Sequence, residues 1–281
     1  MGKGIKAARA GTAHARDADR EGAASFASAA FRGYYSALFG ERWPALEAAL
    51  SSAPDSVAFV AAEGIDPYYL DSASIFAASC LELPSDGLIL DACAAPGGKS
   101  LVLASRMGPN VRLVANELSS DRRRRLRDVL DRHLPAEPRS RVELSGRDAA
   151  AMCRRFEASF DAILLDAPCS SERHVLADAK ALAAWSPARI RNLASRQWAL
   201  LSSAWIMLKK GGCLVYSTCA LSPEENDGVV ARAMAKYGAD ISVHRPGCTV
   251  GAEATEYGLS ILPDSSRGAG PMYVCRIRKI L

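Results

Sequence analysis

A chain of 281 residues, 49% hydrophobic and 23% charged, can bury a sizeable core, and this composition excludes a fibre or a disordered tail. No apolar run approaches the roughly 18 residues of a membrane helix, the longest obvious one being Val57 to Ala62, so a soluble protein without a membrane role is expected. Thirty-five Lys and Arg against 31 Asp and Glu leave a net charge of +4, compatible with an anionic partner but too small to require one.

In chain order, the first sixteen residues carry Lys3, Lys6, Arg9 and Arg16 without an acid, and Asp17, Asp19 and Glu21 follow directly. Residues 1–30 therefore read as a basic, flexible or helical arm, whose composition suits an RNA-touching tail or a transit peptide. Phe31, Tyr35, Leu38, Phe39, Trp43, Leu46 and Leu50 recur at helical spacing, which predicts amphipathic helices and makes 31–75 a short helical N-terminal region.

After Leu83 the pattern changes. Leu88 to Ala92, Val111 to Ala115, Arg141 to Leu144, Ala162 to Leu165 and Cys213 to Tyr216 read as strands. Lys99 to Met107, Ser120 to Leu134, Ala149 to Phe156 and Pro187 to Leu208 read as the helices between them. A further helix is expected at Pro223 to Tyr237, with strands near Ile241 to His244, Ser260 to Leu262 and Met272 to Ile277. This alternation predicts an α/β domain over 76–281, a mostly parallel sheet of about seven strands with helices on both faces.

The first of these strands runs into Asp91-Ala92-Cys93-Ala94-Ala95-Pro96-Gly97-Gly98-Lys99-Ser100, a glycine-bearing turn opening a helix, where open α/β sheets bind nucleotide-like ligands. A P-loop would need glycine where Cys93 stands, and the dinucleotide fingerprint fails because Gly97 and Gly98 are adjacent. Glu117, at the end of the second strand, is placed to accept bonds from ribose hydroxyls, and Asp148, after the third, to meet an adenine edge. A solvated surface acid is the alternative for each.

The eight cysteines read as reduced thiols; none forms a Cys-x-x-Cys pair, and His14, His133, His174 and His244 are dispersed, so no metal site is expected. Two cysteines nevertheless fall just past strand ends on the rim of the glycine turn: Cys169 in Asp166-Ala167-Pro168-Cys169-Ser170, and Cys219 in Tyr216-Ser217-Thr218-Cys219. Two thiols on one rim, one of them near Asp166, favour nucleophilic chemistry over inert packing.

Those three segments together, with Ala220-Leu221-Ser222-Pro223-Glu224-Glu225-Asn226 continuing the last, resemble the RNA cytosine-5 methyltransferases of the Nop2/Sun family over about Tyr68 to Ile277. The run Ser171-Glu172-Arg173-His174, where Gly-x-Gly is commoner in the family, and the short amino-terminal part are similar to the compact mitochondrial-type members and their bacterial relatives. The resemblance implies a Rossmann-like fold binding S-adenosylmethionine, with residues 93–99 (Cys93, Ala94, Ala95, Pro96, Gly97, Gly98, Lys99) around the methionine portion, Glu117 on the ribose, Asp148 on the adenine and Asp166 beside them. It implies Cys219 as nucleophile on carbon 6 of cytosine, Cys169 as the thiol assisting release, Asp166 as the group facing ring nitrogen 3, and Lys99 as a positioning group.

Ribosomal RNA is the first expectation for the substrate and transfer RNA the second, with the base drawn from a single-stranded or locally opened site. Arg173 and His174, on the same rim, are the candidate RNA contacts. The run Arg122 to Arg125, with Arg127 and Arg132, interleaves with Asp121, Asp128 and Asp131 and reads as a salt-bridged surface. A protein partner supplying RNA affinity is compatible with the short N-terminal part, and the compartment is bacterial cytoplasm or, alternatively, the mitochondrial matrix. The competing readings are a non-catalytic RNA-binding or assembly factor on the same fold, and a DNA cytosine-5 methyltransferase, in which the Pro-Cys thiol would be the nucleophile.

Overall fold

The structure is a computed structural model and describes residues 26–247 and 251–280. Most of the N-terminal arm lies outside the described residues, and its last part, from Phe26, already belongs to the first helix, α1 (residues 26–39). A 3-10 turn leads into α2 (Trp43–Ser51). The aromatic stripe of these two helices is core: Phe31, Tyr35, Trp43, Leu46 and Leu50 are buried around Trp185, Ile190 and Leu221, while Leu38 stays exposed. Tyr35 stacks on Trp43 at 5.3 Å and Phe31 meets Trp185 edge-on at 5.2 Å.

The N-terminal region is not helical throughout. An antiparallel pair, β1 (Ser56–Phe59) and β2 (Tyr68–Asp71), precedes α3 (Ser72–Ser79). These strands are four residues each and half-exposed, too short to show a period-2 pattern in the sequence. Asp71 caps α3, its carboxylate accepting the Ala73 N–H at 2.8 Å.

The remaining strands form one nine-stranded sheet: β3 (Asp86–Asp91), β4 (Asn110–Asn116), β5 (Val142–Ser145), β6 (Phe160–Asp166), β7 (Leu208–Thr218), β8 (Ile241–His244), β9 (Ala252–Ala254), β10 (Leu259–Ile261) and β11 (Met272–Lys279). Its order is β5-β4-β3-β6-β7-β11-β10-β9, with β8 also on β11. The first five strands pair in parallel and the last four join antiparallel. Both faces are covered, as a parallel sheet requires. Ile89, Leu113, Leu164 and Val215 pack to one side against α3 and α4 (Gly98–Ser105). Leu90, Ile163, Leu165 and Tyr216 pack to the other against α9 (Pro187–Met207) and α10 (Asp227–Tyr237).

Crossovers α4 and α5 (Ser120–His133) match their expected ranges closely. The helix expected at Ala149 to Phe156 is only a 3-10 turn, Met152–Arg154. Asp148 accepts the Ala150 N–H at 3.1 Å, and Ser203 of α9 donates to the Ala149 carbonyl at 2.6 Å and accepts from the Cys153 N–H, so tertiary bonds replace the helical ladder. Three short helices went unpredicted: α6 (Ala136–Ser140), α7 (Glu172–Ala177) and α8 (Ala179–Ala183). The strand order reverses between β3 and β6, and the carboxyl ends of β3, β4, β5, β6 and β7 bring the candidate site residues to one rim.

Candidate active site

The turn after β3 is held from three sides. Ala92 and Ala94 donate backbone N–H groups to Leu164 at 2.9 Å and Asn116 at 2.8 Å, and Arg122 of α5 donates to the Ala95 carbonyl at 2.8 Å. Gly97 has φ +124°, which only glycine adopts without strain. At Gly98 a Cβ would lie 2.9 Å from Tyr68 Cε1, so the β1–β2 pair closes directly over the first turn of α4.

Asp91 ends β3 as a fully buried carboxylate. Ser100 donates to one oxygen at 2.6 Å, while the other has no partner among the described residues. Burial pushes this carboxyl up to about 7. An orphaned carboxylate oxygen at the wall of a cleft suits a cationic ligand group such as an ammonium.

Three cavities run along the rim. A cleft of about 450 Å³ is walled by Cys93, Glu117, Arg122, Asp148, Pro168 and Leu200. A small one of about 90 Å³ lies between Asp91, Cys93, the glycine turn, Lys99 and Asp166. The third, about 560 Å³, is lined by Ser74, Ser171, His174, Cys219, Pro271 and Met272. Cys93 is common to the first two and Ser74 to the last two, so the three form a continuous row. Glu117 is nearly buried and aimed by its own neighbours, accepting the Ser119 N–H at 2.8 Å and pairing with Arg122 at 3.2 Å. Asn116 fixes the floor by bonding the Ala92 and Arg147 carbonyls.

At the junction, Lys99 Nζ donates to Asp166 Oδ2 at 2.8 Å and to Ser74 at 3.3 Å, and Ser217 donates to Asp166 Oδ1 at 2.9 Å. Burial works against the Lys99 ammonium, yet Asp166 outweighs it and holds the lysine above its ordinary value. The two cysteine sulfurs meet at 2.9 Å, both as free thiols. A hydrogen bond from Cys169 lowers the Cys219 thiol, and the same contact, with burial, pushes Cys169 well up. Cys169 thus keeps the proton and Cys219 takes the thiolate character that nucleophilic attack needs.

Beneath the cysteines lies a set of side chains to which the sequence reading gave no role. Glu172 is wholly buried and accepts from the Tyr35 hydroxyl, the Ser170 hydroxyl and the Leu221 N–H. Glu225, equally buried, accepts from the Ser170 N–H at 3.0 Å and from Gln197 at 2.7 Å, and burial lifts it to about 7. Asn226 accepts from Thr218 and donates to the Ala220 carbonyl. These bonds tie the Cys169 and Cys219 loops to each other and, through Tyr35, to α1. The available signal was the placement of acids just past two strand ends, in segments otherwise too apolar to leave them in water.

Arg173, expected as an RNA contact, lines the same rim cavity as His174, but its guanidinium is engaged within the chain. Its guanidinium faces inward and donates to the carbonyls of Ala49, Leu50, Ser52, Gly268 and Gly270, which uses all five of its N–H donors. It clasps α2 to the segment before β11. His174 is exposed on the wall of the largest rim cavity. In the arginine run, Arg124 pairs with Asp121 at 3.7 Å as a surface contact, but Arg122 and Arg123 turn back to the Ala95, Glu117 and Leu118 carbonyls and brace the cleft. Among the described residues no His, Cys, Asp and Glu cluster has metal-binding geometry, and no helix is long and apolar enough to cross a membrane.

A glycine turn, an acid at each of the next two strand ends and a ligand cleft at the sheet's reversal point define the Rossmann-like methyltransferase fold. PH0851 (18% identity, TM-score 0.75, 89% of this chain and 65% of that one) and a methyltransferase homolog protein from Pyrococcus horikoshii (23%, 0.68, 86% and 92%) share this fold. The family described as 16S rRNA methyltransferase RsmB/F matches residues 78–278, and the chain belongs to it. Among relatives, the mitochondrial tRNA (cytosine(34)-C(5))-methyltransferase of Mus musculus is 32% identical, over 88% of this chain and 75% of its own length. Ribosomal RNA small subunit methyltransferase F of Aeromonas hydrophila is 43% identical, over 58% of this chain and 34% of its own length. The chain spans about a third of the length of several such ribosomal relatives. NSun6 from Pyrococcus horikoshii, solved with SFG, aligns at 27% identity and TM-score 0.67 over 77% of this chain and 54% of that one.

Proposed function

We propose that this chain transfers a methyl group from S-adenosylmethionine to carbon 5 of a cytosine in RNA through a covalent bond to Cys219. The observation that carries the reading is the pair of free thiols 2.9 Å apart, beside the Lys99–Asp166 pair that separates a nucleoside-sized cleft from an acceptor-sized cavity.

The residues present fit the cofactor. The unpartnered Asp91 oxygen suits the methionine ammonium, the bare turn at Gly97 and Gly98 admits a close approach, Glu117 suits the ribose hydroxyls and Asp148 the adenine edge. When bound, S-adenosylmethionine supplies an electrophilic methyl group on a sulfonium.

Carbon 5 of cytosine is too weak a nucleophile to take that methyl unaided. Cys219, as thiolate, adds to carbon 6 while nitrogen 3 takes a proton from solvent; the resulting enamine makes carbon 5 nucleophilic, and Asp166, held by Lys99 and Ser217, accepts the hydrogen bond of that N–H. After carbon 5 has taken the methyl group, its proton passes to solvent, and the electron pair it leaves re-forms the ring double bond and expels the sulfur from carbon 6. Cys169, which holds a proton 2.9 Å from the departing sulfur, stabilises the thiolate that leaves.

The substrate we infer is ribosomal RNA, and the compartment the bacterial cytoplasm or an organelle matrix, with a protein partner supplying further RNA affinity. Transfer RNA is the second reading, favoured by the relative matched over 75% of its own length, whose name carries it. The test is transfer of labelled methyl to total, ribosomal and transfer RNA by the native chain, Cys219→Ala and Cys169→Ala. A dead Cys219→Ala and an RNA-linked Cys169→Ala species on denaturing gels support the assignment. Labelling that survives loss of Cys219 but not of Cys169 reverses the two roles, and no labelling despite cofactor binding supports a required partner or the non-catalytic reading.

A further inference from the structure

Ser171, at the start of α7, has a backbone that glycine would suit. Its φ and ψ are +55° and +64°, in the left-handed region, which side chains larger than glycine adopt at a cost. Two other described non-glycine residues have positive φ, Ala158 and Arg267, and neither lies on the catalytic rim. The conformation puts the Ser171 hydroxyl against both thiols, 3.1 Å from Cys219 Sγ and 3.5 Å from Cys169 Sγ, on the wall of the 560 Å³ cavity.

We infer that Ser171 is a further catalytic group of this chain, a hydroxyl that donates a hydrogen bond to the Cys219 sulfur and stabilises it as a thiolate both before attack and on release. This rests on the reading of Cys219 as the nucleophile. Cys219 is faced by charged or titratable groups from four sides: Cys169 in the loop after β6, Asp166 at its end, Glu172 of α7 and Lys99 of α4. Asp166 and Glu172 oppose a thiolate, Lys99 favours it, and Cys169 already donates to it. The Ser171 hydroxyl is a second, uncharged donor, and its contact also lowers the Cys219 thiol. Because the sulfur is thiolate at both ends of the covalent cycle, one donor serves both steps without gaining or losing a proton.

The test is the pH dependence of Cys219 alkylation by iodoacetamide in the full chain, for native, Ser171→Gly and Ser171→Ala. Tandem mass spectrometry of the 211–232 peptide separates Cys219 from Cys213. Each protein is measured also with Cys169→Ala, since two adjacent thiols titrate as a pair. Loss of one hydrogen bond to a charged sulfur is expected to raise the alkylation midpoint by about one unit. Because a more basic thiolate is intrinsically more nucleophilic, Ser171→Gly should react about threefold more slowly well below both midpoints and about threefold faster on the alkaline plateau. Its melting temperature should hold or rise, since glycine relieves the backbone, and methyl transfer should fall at pH 7 and recover toward pH 9. A serine with no part in the chemistry predicts an unchanged alkylation midpoint in both Ser171→Gly and Ser171→Ala, whatever the melting temperature does, and that result overturns the inference. If methyl transfer persists in Cys219→Ala, the reading of the nucleophile fails by itself, while the alkylation midpoint still decides whether Ser171 tunes Cys219.

Discussion

Replacing Arg173 with lysine separates a structural clasp from an RNA contact. The guanidinium makes bonds to five carbonyls, those of Ala49, Leu50, Ser52, Gly268 and Gly270, at 2.8 to 3.3 Å. Lysine has three donors on one nitrogen and cannot span both segments, so at least two of these bonds are lost. A bond from a charged donor contributes about 1.5 to 3 kcal/mol, and the site is open enough for water to replace part of that, leaving about 1 to 1.5 kcal/mol each. The expected cost is therefore about 2 to 3 kcal/mol, or roughly 4 to 6 °C in Tm for a domain of this size. The assay is thermal and urea unfolding alongside RNA affinity measured from low to moderate salt. The clasp predicts early melting with an unchanged salt slope in what remains folded. A variant that melts within about 1 °C of the native chain but binds RNA with a shallower salt dependence would refute the clasp and restore the RNA contact.

Gly98→Ala places a methyl group 2.9 Å from Tyr68 and 3.0 Å from Leu70, so the β1–β2 pair must lift from the cofactor turn; isothermal titration should show S-adenosylmethionine binding weakened several-fold, and unchanged binding would mean that the pair does not close the site. Tyr35→Phe removes a donor from the buried Glu172 carboxylate, at an expected cost of about 1 to 2 kcal/mol in urea unfolding, with slower methyl transfer because both cysteine loops hang on that carboxylate. Asp91 and Glu225 titrate near 7 in the folded chain because burial disfavours their charge, against roughly 4 when unfolded. Between those values the folded state holds protons that the unfolded state has released, so stability falls as pH rises from about 4 to about 7 and then levels. Glu225→Gln should narrow the difference in urea midpoint between pH 5 and pH 8; an undiminished difference would show that the falling stability has another source.

The parallel half of the sheet was legible because its strands are buried on both faces and read as short continuous apolar runs, and because each delivers a polar residue at its end. Asp91, Glu117, Asp148 and Asp166 all come to the expected rim, and the two thiols come into contact. What escaped was set by tertiary contacts. The four-residue strands Ser56–Phe59 and Tyr68–Asp71 are defined by pairing with each other and by packing on Gly98, and neither carries a pattern long enough to separate strand from helix. The expected helix at 149–156 lost to the bonds from Ser203. Arg173 read as a solvent-facing cation because carbonyl groups, the partners it binds, leave no mark in a sequence.

Composition divides this chain near residue 76, but its physics does not. The Tyr35 hydroxyl reaches Glu172, and Phe31, Trp43, Leu46 and Leu50 close over Trp185, Ile190 and Leu221. The first two helices are thus the outer wall of the catalytic loops. A fragment cut at 76 would keep Asp91, Lys99, Glu117, Asp148, Asp166 and both rim cysteines and yet present a bare aromatic face to water, with a buried carboxylate missing one donor and Arg173 missing three of its carbonyls. For transplanting or trimming this chain, the smallest portable unit begins at the first helix, not at the first strand of the sheet.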